Sequence, residues 1–524
     1  MGCVEGALRL RAAWAAPGST AADARRSAQG ATRGRGKITH AAGATLRGRP
    51  ALAALLVAIG FLVLYIYTLA PAVTWGDEAK FQLLVPRLEL EASEVGHPLW
   101  VLLSYPFTLL PAGDLAWRVN LATAVFGAAA VFFVYLSAGA LFRHRGGSLA
   151  AAIAFGVSHT FWSLSVRPQS HSLNALFLAL TLWLVFRWQG KLWQLYAAGF
   201  LFGLGLTNHF LLAFSLPGLA WFVIRTARAR QVPLLRAAAS LIFAGLGFAP
   251  FLITMLAQSR TGNTWFTVAS YFMHLLSLES PVRSFALWAG FLAYNFAGPA
   301  LILIGLGAIR LWRLERAIFI GLALLYLGNV YFVFDLALPD QYKYYIPSYL
   351  VLSLFAAPGF IAVSERASRK LSALLLAALL ITPPLVYQAA PAIVRAAGFD
   401  ELLGARNLPG RDMLSFFLTP SKRGYFGARD YARRALAQVE PGATIVADHT
   451  PYMALRYVQQ AEGLRPDVTL VYLYPEAGFP FAPGRRDIYL ADTQNYYPTE
   501  DIGRSFRIEQ AGVLYRLVPK GQEP

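Results

Sequence analysis

Apolar stretches close to bilayer-spanning length recur along residues 51–389 of this chain. They fall near 51–70, 117–142, 148–166, 170–187, 193–209, 210–224, 237–257, 284–309, 316–334, 346–363 and 371–389. An α-helix of about 20 apolar residues crosses the roughly 30 Å hydrocarbon core and satisfies its backbone amides internally, which water cannot do there. The pattern predicts a polytopic α-helical membrane protein with about eleven transmembrane helices. Composition agrees, because 56% hydrophobic and 14% charged residues lie outside the balance of a soluble globular domain.

The formal charge of +18 has a topological explanation. Basic residues cluster in alternate short loops: Arg143 and Arg145; Arg187 and Lys191; Arg225, Arg228, Arg230 and Arg236; Arg310, Arg313 and Arg316; Arg366, Arg369 and Lys370. Cytoplasmic loops carry this excess, so all five are expected inside, with the N-terminus. The charges form no continuous basic face, and no nucleic-acid partner is expected. Residues 97–111, HPLWVLLSYPFTLLP, are too short and proline-broken to cross and are expected to lie at the outer interface.

Residues 1–50 are rich in Ala, Gly and Arg, and are expected to form a disordered basic cytoplasmic tail or to reflect a start assigned too far upstream. The first apolar segment is a full span without a small-residue cleavage pattern after it, so it reads as a retained anchor. Cys3 is the single cysteine, which excludes an intrachain disulfide and thiolate metal sites.

With this topology the membrane part covers residues 51–390, and its first outer loop is 71–116. The unusual polar residues then gather at one side. His97, His159, His171, His209 and His274 fall at outer loops or helix ends, with Asp77, Glu78, Arg118, Arg167, Asp335, Asp340 and Lys343. Ionisable groups near hydrocarbon are costly and usually pair or line a cavity, so this side is the candidate site. Residues 391–524 change character. Short β-branched runs, TIVA and VTLVYL, alternate with amphipathic helical patterns, predicting a small extracytoplasmic α/β domain.

Sugar transfer from a lipid-linked donor suits a polar site beneath the outer leaflet. It needs a carboxylate to take the acceptor's proton and cations to stabilise the leaving lipid phosphate. Asp77 or Glu78 is the candidate for the first, and Arg118, Arg167 and Lys343 for the second. The alternative for the carboxylates is helix capping, and for Arg118 headgroup anchoring. Lys80, His97, His171, Asn208, His209, Asp340 and Tyr342 are candidate substrate-binding residues. The tyrosines around Lys343 fit an aromatic interface belt equally well, and His209 fits an interhelical hydrogen bond. No cofactor is expected, and no histidine spacing supports a divalent metal.

A resemblance runs through these same segments. TLAPAVTWGDEAKF, GHPLWVLLSYPFTLLPAGDLAWRVNLATAVFGAAAVFFVYL, GLGLTNHFLLAFSLPGL, LPDQYKYYIPSYL and PGATIVADHTPYMALRYVQQAEGLRPDVTLVYLYP follow one another as in the transmembrane protein O-mannosyltransferase-like family. That family is a branch of the type C glycosyltransferases. The resemblance implies a polyprenyl-phosphate-linked donor sugar, mannose foremost, an inverting transfer and an extracytoplasmic protein or glycan acceptor at a multi-pass, bacterial-type inner membrane. It places Asp77 at the acidic position of the first outer loop, Arg118 at the arginine opening the next span, and His97-Pro98 and Asn208-His209 at matching pairs. The chain departs from the family at Lys80, where a glutamate is common. DEAKF instead resembles the Asp-Glu-x-x-aromatic form of protein mannosyltransferases and aminoarabinose transferases. Arg167-Pro168-Gln169-Ser170-His171 stands where many members have Glu-Val-Tyr. The competing function is a multi-span transporter or lipid-linked-sugar flippase, which internal repeats and midplane charges would favour; neither is evident here.

Overall fold

The computed structural model describes residues 50–520 apart from 91–96, 259–280, 335, 337, 339, 400–405, 475–478, 480, 482–486 and 495. The expected basic tail, His274 and Asp335 therefore lie outside the described residues. The helical part opens with α1 (Pro50–Tyr67), two short helices α2 (Asp77–Arg87) and α3 (Pro98–Thr108), and the long α4 (Leu115–Phe142). There follow α5 (Arg145–Gly156), α6 (His159–Ser165), α7 (His171–Arg187), α8 (Leu192–Asn208) and α9 (Leu216–Ala229), the last entered by a 3-10 turn, Phe210–Ser215. The bundle is completed by α10 (Leu234–Ala238), α11 (Ser240–Gln258), α12 (Pro281–Asn295), α13 (Ala300–Leu314), α14 (Arg316–Val333), a 3-10 turn Gln341–Tyr345, α15 (Ile346–Ser364) and α16 (Arg369–Ala396).

Among the described residues seven helices are long and apolar enough to cross a membrane, and eight if the bent pair α12 and α13 counts as one span. The sequence expectation was about eleven, and the difference has local causes. The apolar run 148–166 is broken at Val157 and Ser158 into α5 and α6, while α7 and α8 have 17 residues each. At about 1.5 Å per residue such helices reach about 25 Å, short of the full hydrocarbon core. The run 284–309 turns through 106° between α12 and α13.

Close helix contacts hold the bundle together. A Cβ on Gly307 would lie 1.8 Å from the Phe355 carbonyl oxygen, and one on Gly359 1.9 Å from that of Leu303. Helices α13 and α15 thus meet backbone to backbone, the close packing that small residues permit where no hydrophobic drive operates between helices.

The C-terminal part is a small α/β unit. It contains α17 (Met413–Leu418), α18 (Gly427–Gln438), β1 (Thr444–Ala447), α19 (His449–Ala461), β2 (Thr469–Tyr472), β3 (Ile488–Leu490), α20 (Thr499–Ser505), β4 (Phe506–Ala511) and β5 (Leu514–Pro519). The sheet order is β2-β1-β3-β5-β4, with β1 parallel to both neighbours and β5 antiparallel to both of its own. Strand β1 is buried throughout, as the uninterrupted TIVA run predicts for a strand covered on both faces.

The segment bearing WGDEAKF is shared between the two parts. Val73, Trp75, Ala79 and Leu83 belong to the same apolar core as Phe416, Tyr431, Ile445, Met453 and Leu455 of the α/β unit. Burying a large side chain such as Trp75 contributes about 1.5–3 kcal/mol, so these residues fasten the loop and α2 to the C-terminal unit. A polar chain fastens them to the bundle. Asn120 on α4 donates to the Ala70 carbonyl (2.8 Å) and accepts from Gln82 (2.8 Å), whose own carbonyl accepts from the Thr74 amide (3.2 Å). All three side chains are buried, where such hydrogen bonds are both strong and obligatory.

Candidate active site

Asp77 is the first residue of α2, where a carboxylate is favoured by the helix dipole. It follows Gly76, whose φ of +55° suits glycine and whose amide donates to the Thr450 carbonyl at 3.2 Å. The Asp77 side chain is 45% exposed, so a substrate can reach it. Its Oδ1 accepts from His449 Nε2 at 2.9 Å, and its Oδ2 lies 3.9 Å from Lys343 Nζ. Partial burial raises its pKa, but the His449 hydrogen bond and the positive charges of Lys343, His449 and Lys80 outweigh that. They hold the carboxyl well below the usual carboxylate range. Asp77 is therefore an anion across physiological pH.

Glu78, its neighbour, points elsewhere. Successive helical residues diverge by about 100°, and Glu78 turns into the bundle. Its Oε1 accepts from Arg167 (2.9 Å) and Gln169 (3.1 Å), and both ends of the ion pair are buried. Arg167 also donates to the Tyr342 hydroxyl at 3.2 Å and stacks over Phe416. Burial alone would lower the Arg167 pKa; Glu78 and Tyr342 more than offset it, and the guanidinium stays charged.

Three aromatic-basic residues of one 3-10 turn join the clusters. A 3-10 helix has about three residues per turn, so consecutive side chains point in three directions. Tyr342 reaches Arg167, Lys343 reaches Asp77, and Tyr344 packs edge-on to His171 (5.5 Å between ring centroids) and His209 (5.9 Å). Lys343 is also ion-paired with Asp340. Gln341 anchors the turn by donating to the Val333 carbonyl at 2.6 Å.

The third cluster lies around Tyr344. The rings of His97, His209 and His171 follow one another at 5.1 and 5.0 Å. His97 donates from Nδ1 to the Asn208 carbonyl at 2.5 Å, which fixes its tautomer. Burial lowers the His97 imidazole to about 4 despite that hydrogen bond, with Lys343 acting in the same direction, so it is neutral. The Asn208 amide donates to the Ser170 carbonyl at 3.0 Å. Among the described residues, no three His, Cys, Asp or Glu side chains converge in an arrangement that could hold a metal ion.

Arg118 has a different setting. It donates to the carbonyls of Thr108 and Leu110 and lies along that of Asp114, stapling the turn between α3 and α4. Lys80 contributes positive charge beside Asp77.

His449, which lies in the run ADHTPYM, is a site residue that the sequence expectations do not include. Asp448, ahead of it, caps α19 by accepting from the Thr450 amide. The available signal is Asp448 as an N-cap directly after the β-branched run, which puts His449 at a helix start beside the strand end.

The family model for the protein O-mannosyl-transferase TMEM260 N-terminal domain matches residues 90–232. Mouse protein O-mannosyl-transferase TMEM260 is 26% identical over 460 residues, which is 81% of this chain and 62% of that relative. The chain is thus similar to the TMEM260 protein O-mannosyl-transferases over most of its length. Two solved structures share the fold of this TMEM260-like chain: ArnT from Cupriavidus metallidurans bound to undecaprenyl phosphate, and the same protein in the apo state. The first has a TM-score of 0.59 at 12% identity, covering 89% of this chain and 97% of ArnT. The second has a TM-score of 0.55 at 13% identity, covering 90% and 98%. The family resemblance and the fold read from the sequence are thus met, and the TMEM260-like chain is an integral multi-pass membrane protein that spans about three-fifths of its mouse relative.

Proposed function

We propose that this chain transfers a sugar, mannose in the first instance, from a polyprenyl-phosphate carrier to a hydroxyl of an extracytoplasmic protein. The observation that carries the reading is the accessible Asp77 anion, flanked by the Lys343 ammonium, where the helical bundle meets the α/β unit. The TMEM260 relative and the ArnT fold, crystallised with undecaprenyl phosphate, support it.

In this reading Asp77 takes the proton of the acceptor hydroxyl as that oxygen attacks the anomeric carbon from the face opposite the phosphate. The bond between the anomeric carbon and the phosphate oxygen breaks, and its electron pair leaves with the polyprenyl phosphate. A single displacement of this kind inverts the anomeric centre. Lys343 exchanges its ion pairs with Asp77 and Asp340 for the leaving phosphate, where a cation near a water-poor site counters developing charge. Lys80, beside Asp77, adds a second positive charge. His97, His171, Asn208, His209 and Tyr342 shape the floor beneath the sugar. Glu78 and Arg167 hold α2 in place, and Arg118 holds the α3–α4 turn. The Lys/Arg bias of the loops puts the Asp77 side and the α/β unit outside the cytoplasm.

Purified protein in liposomes, given polyprenyl-phosphate-mannose and Ser/Thr peptides drawn from secreted proteins, should yield mannosyl-peptide and one polyprenyl phosphate per transfer. Movement of the lipid-linked sugar between leaflets with no peptide product would replace this reading by that of a flippase.

A further inference from the structure

We propose that His449, supplied by the C-terminal α/β unit, is a positioning residue for the Asp77 carboxylate, so that the transfer site is complete only with that unit in place. The inference rests on the reading of Asp77 as the base. An ionised carboxylate only accepts hydrogen bonds, so the 2.9 Å contact requires Nε2 of His449 to carry the hydrogen. That bond occupies Oδ1 and leaves Oδ2, on the Lys343 side, to meet the acceptor hydroxyl.

The imidazole is held from behind by a buried ionic cluster of the α/β unit. Arg406 donates to both oxygens of Asp448 at 2.9 and 2.7 Å and to Asp492 at 2.5 Å. The Tyr497 hydroxyl donates to the same Asp448 carboxylate at 2.9 Å, and the Asp448 amide donates back to that hydroxyl at 3.1 Å. Arg406, Asp448, Asp492 and Tyr497 are all buried, and Asp448 caps the helix whose first residue is His449. On the other side, the Gly76 amide is bonded to the Thr450 carbonyl, and a Cβ on Gly76 would sit 3.6 Å from His449 Cδ2. The two chain segments are thus pinned at adjacent residues, and the His449–Asp77 bond spans the fixed gap. Misplacing a reacting group by about 1 Å can cost about 100-fold in rate, which gives such rigidity its value.

The groups facing Asp77 are Lys343, with Asp340 behind it, from the 3-10 turn; Lys80 from its own helix, whose Glu78 turns away to Arg167; and His449, with Tyr472 beyond it, from the α/β unit. With His449 removed, Lys343 and Lys80 still depress the carboxyl, but less. The Asp77 pKa rises, and the base is lost to protonation at a higher pH than in the wild type.

His449→Ala, His449→Gln and His449→Asn in the full chain test this. His449→Ala should lower kcat by about 10- to 100-fold with donor KM within about twofold. His449→Gln, whose amide reaches Oδ1, should recover most of kcat, whereas the shorter His449→Asn should not. The Gln and Asn pair decides the matter even where the alanine variant folds poorly. Equal, near-wild-type turnover in the Asn and Gln variants would overturn the inference. Its failure is separable from failure of the underlying reading: an inactive Asp77→Asn with normal His449 variants sinks only the positioning role, whereas a fully active Asp77→Asn sinks the base itself.

Discussion

Asp77→Asn should lower the transfer rate by about 10²–10⁴-fold, the range that a positioned general base contributes, with donor binding and folding retained. The amide keeps the shape of the side chain, and its oxygen can still accept the hydrogen bond from His449 Nε2. It cannot take the acceptor's proton. Stability should change little, because the side chain is half-exposed and its ion pairs are partly screened by water. Glu78→Gln provides the contrast one residue away. Its amide oxygen can still accept from Arg167, but the buried guanidinium loses the negative charge that balanced it, so the main loss should be thermal stability. Radiolabelled transfer and thermal unfolding, measured on both variants, separate the roles. Turnover lost in Glu78→Gln but kept in Asp77→Asn would exchange them.

Acid should not silence the proposed transfer through Asp77. The folded-state pKa is depressed, so the ionised carboxylate and the interactions it makes persist above the ordinary carboxylate pKa and are lost only as pH falls through the lowered value. Down to about pH 5 the rate should show no acid limb from this group.

Arg406→Met should be the most destabilising single change in the α/β unit. It strips two buried carboxylates, Asp448 and Asp492, of their shared counter-ion. Breaking a buried ion pair from one side costs about 3–5 kcal/mol, because the remaining charge is left uncompensated. Tyr497 still serves Asp448 but brings no positive charge. The α/β unit should become sensitive to protease at temperatures where the wild type resists, and transfer should fall with it because the base of His449 is loosened. An unchanged protease pattern and unfolding temperature would show that the three-residue cluster contributes nothing net.

The helical bundle and the strands of the α/β unit were legible because each rests on local pattern. Long apolar runs can only be buried or span lipid, and TIVA and VTLVYL became β1 and β2 with small changes at the ends. The number of spans was less legible, since an apolar run does not reveal a break such as Val157-Ser158 or the 106° bend between α12 and α13. In the site, Asp77, Lys343 and Asp340 could be grouped by topology alone. The division of labour between Asp77 and Glu78 could not, because it depends on which neighbour each faces across 89 residues in one case and 372 in the other. For Arg118 the sequence allowed either phosphate binding or anchoring. The structure places it on the carbonyls of the turn it opens. Arg406 was invisible for the same reason as His449, since its partners are contributed from 42 and 86 residues away.

The most direct test of Asp77 as the reacting carboxylate is a cryo-electron microscopy structure of the protein with a non-transferable polyprenyl-phosphate-mannose analogue and an acceptor peptide. The account predicts the phosphate against Lys343, and the peptide hydroxyl about 3 Å from Asp77 Oδ2 and about 3–3.5 Å from the anomeric carbon, on the face opposite the phosphate. An analogue seated with its phosphate away from Lys343, and its anomeric carbon more than about 10 Å from Asp77, too far even for one bridging water, would contradict it.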